Sequence, residues 1–111
     1  MDLLARLIPG PALDERFAVR MPVQIEASLS APPIQGCEVS LLDISTEGFL
    51  VDSIVPFAVE QQVQLELPLL NCSAATVRWR DGTRHGCRFD APLAPGQVRE
   101  IALRGGRKHQ G

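Results

Sequence analysis

MPVQIEASLS, residues 21–30, sets Val23, Ile25, Ala27 and Leu29 on one face of an extended chain and Gln24, Glu26 and Ser28 on the other. Successive side chains leave a strand on opposite sides, so a period of two is what a half-buried strand requires. The same alternation returns downstream. APPIQG (31–36) carries two prolines and a glycine and reads as a loop, after which Cys37, Val39 and Leu41 resume the apolar face. GFLVDS, from Gly48, is a short third strand that ends before Pro56. QQVQLELPLL (61–70) turns Val63, Leu65, Leu67 and Leu69 inward and Gln62, Gln64 and Glu66 outward. CSAATVRWRDG (72–82) puts Ala75, Val77 and Trp79 on one face and Thr76, Arg78 and Arg80 on the other, and RHGCRFD (84–90) offers Cys87 and Phe89 to the interior. Only PGQVREIALRGG (95–106) has helical spacing. Six short strands with turn signals between them predict an all-β fold, a six-stranded antiparallel barrel with a short C-terminal helix, because closing a sheet on itself removes exposed edges.

The totals fit that picture. At 111 residues the chain has room for one domain with a single modest core. Apolar residues make up 45% and charged residues 22%, and a net charge of −2 gives no overall attraction to nucleic acid or anionic membrane. Of the 11 basic side chains, all but Lys108 are arginines, and Arg78, Arg80, Arg84 and Arg88 crowd together. Arginine suits planar, bidentate recognition of phosphate or guanine, and these four read as a solvated face or an outer wall for a ligand. Cys37, Cys72 and Cys87 are odd in number and lack CxxC spacing, which speaks against a disulfide framework or a zinc site and for a reducing cytoplasm. The opening MDLLARLIPG has too short an apolar run, broken by Arg6, for secretion or for spanning a bilayer. Residues 1–13 read as a mobile N-terminal segment, 14–103 as the barrel domain and 104–111 as a disordered tail.

Two stretches carry chemistry. DERFAVR (14–20) places Arg16 and Arg20 just ahead of the first strand, and DISTEGF (43–49) follows the second. Asp43 and Ser45 are two apart and share a direction in an extended chain, with Ile44 free to pack inward. Gly48 suits a sharp turn or a close approach, and Asp, Ser and Gly also build ordinary turns without any ligand. Pairing residues 21–29 with 37–44 as a hairpin would bring Arg20 and Asp43 to the same rim. There the arginines can grip phosphate, or the O6 and N7 of a guanine, while Asp43 accepts from its N1 and N2 hydrogens.

RFAVR (16–20) followed by DISTEG (43–48) resembles the paired signature RxxxR and [D/N]xSxxG of PilZ domains, bacterial receptors for cyclic di-GMP. The likeness covers residues 14–103, and VRWRDGTRHGCRFD (77–90) looks like the family's closing strands. The resemblance implies a PilZ-like six-stranded barrel whose arginine loop wraps cyclic di-GMP, often as an intercalated dimer. Arg16 and Arg20 would be the phosphate and guanine grips, Asp43, Ser45 and Gly48 the rim, and Trp79 a looser match. It further implies a cytoplasmic second-messenger receptor of the kind that governs motility and biofilm formation. Such a receptor is a monomer or weak dimer with no catalytic residue, metal or cofactor, and it signals to an effector protein. RxxxR alone carries no weight, since Arg80/Arg84 and Arg84/Arg88 repeat it; the order, the hairpin-length gap and the second motif carry the likeness. Many members have a further arginine directly before the first, where this chain has Glu15, which bears on whether one or two ligand molecules bind.

Three rivals are weaker. A degenerate PilZ-like module for pilus assembly or motility, binding only protein, typically loses the arginines or the Asp–Ser pair, and this chain keeps them. An enzyme would need a third partner for His85 and Cys87, which read instead as a satisfied histidine beside a buried thiol. A single-stranded nucleic-acid barrel needs exposed aromatics to stack bases, and the chain has no tyrosine, four phenylalanines and one tryptophan to share with its core. In the receptor, ligand binding is expected to order the arginine loop and reposition residues 1–13.

Overall fold

A computed structural model of the chain describes residues 20–67 and 70–106. Six strands, β1 (Met21–Ala31), β2 (Ile34–Ile44), β3 (Gly48–Asp52), β4 (Gln62–Leu67), β5 (Leu70–Asp81) and β6 (Arg84–Phe89), precede one helix, α1 (Pro95–Gly106). The strands run round the ring in the order β1-β2-β3-β6-β5-β4, and β4 closes on β1. Every neighbouring pair is antiparallel. The chain is therefore the closed six-stranded antiparallel barrel with a C-terminal helix that its alternation predicts. Ile25, Leu29, Leu41, Val51, Val63, Leu65 and Val77 fill the interior.

Helix α1 opens on Pro95, whose missing N–H is no loss in a first turn. The Gln97 side chain reaches back to accept from the Ala94 amide. Val98 and Ile101, three apart, are the buried face, and the helix packs against β1. It spans the whole stretch with helical spacing, Pro95–Gly106, so residues 104–106 belong to the helix and not to the tail. The N-terminal segment with Arg16, Leu69 and residues 107–111 lie outside the described residues.

Two local departures from the sequence expectations have physical causes. The loop expected over 31–36 is a tight turn at Pro32–Pro33, with Ala31 already paired to Ile34. Gly36 sits at φ 63 and donates its N–H to Ser30 Oγ at 2.7 Å, so a glycine bulge takes up the extra residue and lets pairing start early. Trp79, expected inward with Ala75 and Val77, instead faces solvent, 44% exposed. Register shifts between Val77 and Trp79, where β5 holds one residue more than β6, and a one-residue slip sends the following side chains to the other face.

Because β3 and β4 lie across the ring from one another, residues 53–61 must cross one end of the barrel. Phe57 fills that end, fully buried, edge-on to the equally buried ring of His85. His85 Nε2 accepts from the Phe57 amide at 3.1 Å and its Nδ1 pairs with the Thr83 carbonyl at 2.9 Å. The imidazole thus satisfies two backbone groups and ties the crossover to the β5–β6 turn. Replacing His85 with leucine conserves most of the volume but orphans the buried Phe57 N–H. We expect His85→Leu to cost about 1–3 kcal/mol, read as a lowered midpoint in urea with an unchanged slope.

Candidate functional site

The β1–β2 hairpin pairs Met21 with Ile44 and Pro22 with Asp43, which carries Arg20 to the end of β2. A guanidinium nitrogen of Arg20 lies 3.8 Å from Asp43 Oδ2, longer than a direct hydrogen bond. The Arg20 side chain is 62% exposed, so the pair adds little stability and leaves the guanidinium free to turn toward a ligand. Asp43 is the more enclosed partner. Burial pushes its carboxyl above the usual carboxylate range, and the charge of Arg20 offsets part of that rise.

Ser45 serves its own turn. Its hydroxyl is buried and accepts from the amides of Glu47 at 3.1 Å and Gly48 at 3.2 Å. The Gly48 carbonyl accepts from the Ser45 amide at 2.9 Å and, more loosely, from its hydroxyl at 3.4 Å. Ser45 therefore shapes the rim by bracing residues 45–48. Gly48 is required by a close approach to β6: a Cβ there would collide with the Cys87 carbonyl oxygen and crowd the Arg88 backbone.

The register then extends the site across the sheet. Pro22, Asp43, Leu50, Gly86 and Trp79 pair in turn across five strands and form one row on the outer surface. Leu50 faces out because its neighbours Phe49 and Val51 are buried. The Trp79 indole lies over Gly86, where a Cβ would fall into its Nε1 and Cε2. Leu50 and Gly86 were not singled out in the sequence. Gly86 carried a usable signal, since a glycine between two inward residues of a strand marks a place where something approaches the backbone.

Arg20 and Asp43 thus stand at one end of a low apolar floor and an exposed indole at the other. Such a surface can pair a cation with phosphate, a carboxylate with guanine N–H groups, and a flat indole face with a base. The remaining sequence candidates do not join it. His85 uses both ring nitrogens in the barrel end, and burial holds the Cys87 thiol at about 12. Among the described residues, no helix is long and apolar enough to cross a membrane.

Two outcomes separate structural from ligand-facing residues. Gly48→Ala should cost about 1–3 kcal/mol in denaturant melts, because the obstacle is backbone and cannot swing away. Asp43→Asn should leave stability at pH 7 unchanged or raised. A carboxyl whose folded pKa is raised penalises folding while ionised, and that penalty fades as pH falls through the folded pKa toward the ordinary value near 4. The midpoint difference between variant and parent should accordingly shrink on acidification; a difference that grows would contradict the burial argument. Comparison with protein-family models and with curated proteins finds no match to this chain, so the site is interpreted from its own residues and geometry.

Proposed function

We propose that this chain is a PilZ-like receptor that binds cyclic di-GMP at the β1–β2 rim and relays binding to an effector protein. The observation that carries the reading is the meeting of Arg20 and Asp43, far apart in sequence, as an accessible ion pair in line with an exposed tryptophan. Arg20, joined by Arg16, grips phosphate and the guanine O6/N7 edge. Asp43 accepts from guanine N1 and N2, and Trp79 stacks against a base. Ser45 and Gly48 keep the rim in shape. On this reading the protein works in the cytoplasm and needs no cofactor or metal.

The relay has two physical routes out of the rim. Thr46, in the turn that Ser45 braces, accepts from the Leu93 amide at 2.9 Å, just ahead of α1. Helix α1 also packs on β1, the strand that Arg20 opens. A ligand shifts a conformational balance only through contacts that differ between the two states, and drawing Arg20 away from Asp43 is such a difference.

Trp79 is the sole tryptophan and the chain has no tyrosine, so its fluorescence reports this surface without interference. Titration of cyclic di-GMP, followed by heat and by fluorescence, should show saturable binding. Hydrogen bonds to charged groups contribute about 1.5–3 kcal/mol, so Arg20→Ala and Asp43→Ala should each weaken it roughly ten- to a hundredfold. Affinity should also decline on acidification as Asp43 takes up a proton. A parent protein that shows neither heat nor a melting shift at high ligand concentration would falsify the receptor reading.

A further inference from the structure

We propose that the end of the barrel opposite the Arg20–Asp43 rim is a self-association surface, on which a second copy of this chain docks about a two-fold axis. The inference does not depend on the ligand reading. Strand β3 begins beside the rim and ends at Asp52, where the crossover 53–61 sets out over the other end. The inner side of that crossover is committed to the fold. Phe57 plugs the barrel, and the buried Ser53 donates its hydroxyl to the Val55 carbonyl at 2.8 Å. The outer side is not: Ile54 is 92% exposed and Val59 50%.

Both residues border the β5–β6 hairpin. The Ser53 amide donates to the Thr83 carbonyl in the hairpin turn at 2.8 Å, which puts Ile54 at that turn. The Glu60 amide donates to the Val77 carbonyl at 2.7 Å and the Val77 amide to the Gln61 carbonyl at 2.9 Å. Gln62 pairs antiparallel with Thr76, so Val59 lies toward Arg78 and the exposed Trp79. Among the described residues, the one other large apolar side chain left so open is Leu103, on α1.

Glu60 is an independent sign of function at this end. Among the described residues it is the one non-glycine in the left-handed region, at φ 75. With Gln61 it opposes Val77 as a bulge whose first position favours glycine, because a Cβ is disfavoured at such a φ. A glutamate there holds an exposed carboxylate at the edge of the apolar patch, although glycine would fit the backbone better.

The surrounding charges indicate the occupant. Exposed Arg78, Arg80 and Arg84 stand among exposed Asp52, Glu60 and Asp81. A nucleic acid or an anionic bilayer would be drawn by the arginines and repelled by the carboxylates. A surface carrying both signs is complementary to itself. In a two-fold contact residue i meets j and j meets i, so the arginines of each copy can face the carboxylates of the other around an apolar centre. Docking at this end also leaves both Arg20–Asp43 rims open at the far ends of the pair.

The test is sedimentation velocity on the full chain from about 1 μM to 1 mM, with melting curves alongside and no ligand present. The parent should pass from monomer to dimer across that range. Ile54→Asp should weaken the dimer about tenfold or more with an unchanged melting midpoint, because a side chain so exposed supports little of its own fold. Glu60→Gly should melt at or above the parent and yet dimerise less. Leu103→Asp, the same kind of change on α1, should dimerise as the parent does. Val59→Ser serves as the second variant if Ile54→Asp melts early. A parent that stays monomeric throughout overturns the proposal, as does dimerisation that ignores Ile54→Asp and Val59→Ser or that Leu103→Asp weakens equally. Loss of the receptor reading would leave each of these outcomes standing.

Discussion

The constraint on which the rest depends is closure of a six-stranded ring. Its final seam is short: among the described residues, only Ser28, Leu29 and Ser30 of β1 meet Glu66, Leu65 and Gln64 of β4. A sheet this narrow must bend sharply to meet itself, and the strands do so by carrying extra residues at register shifts. Two of those shifts decide the surface chemistry. Strict alternation from buried Leu41 would aim Asp43 into the core, and from buried Val77 it would aim Trp79 there. The extra residues at Leu42 and Arg78 reverse the phase and turn both outward, and pairing through Leu50 and Gly86 puts them in one row. The outer surface is thus shaped by the same irregularities that close the barrel.

The seven residues from Asp43 to Phe49 divide their work between stability and exposure. Ser45 and Gly48 are spent inside, the one on amides of its own turn and the other on contact with β6. Asp43 stays at the surface in an environment that disfavours its charge. A carboxylate kept where it does not help folding is a common mark of a functional position, and the braced turn beside it supplies the rigidity such a group needs.

Alternation was readable wherever one face meets the core: the apolar faces of β1 and β4 and the inward Cys87 and Phe89 are where the period of two puts them. The meeting of Arg20 with Asp43 was readable too, because hairpin geometry depends only on strand length and direction. Trp79 was not. Its side is set by a bulge relative to β6, and a bulge exists only between two strands, not within one segment. The tight turn at Pro32–Pro33 escaped for a related reason, since it relies on Gly36 bonding back to Ser30 across the hairpin. That the Ser45 hydroxyl is engaged could not be read from its spacing, which serves a braced turn and an open ligand contact equally well.

The place of β6 has a consequence for how the protein is made. The last strand in sequence inserts between β3 and β5, and its His85 secures the crossover that joins the two halves of the ring. A nascent chain that has emerged only as far as β5 lacks both the wall between those strands and the anchor for residues 53–61. Its apolar faces remain open until the C-terminal quarter leaves the ribosome. Closure of this barrel therefore waits for β6, and it is governed by the slow, long-range pairing that topologies of this kind require, about milliseconds to seconds.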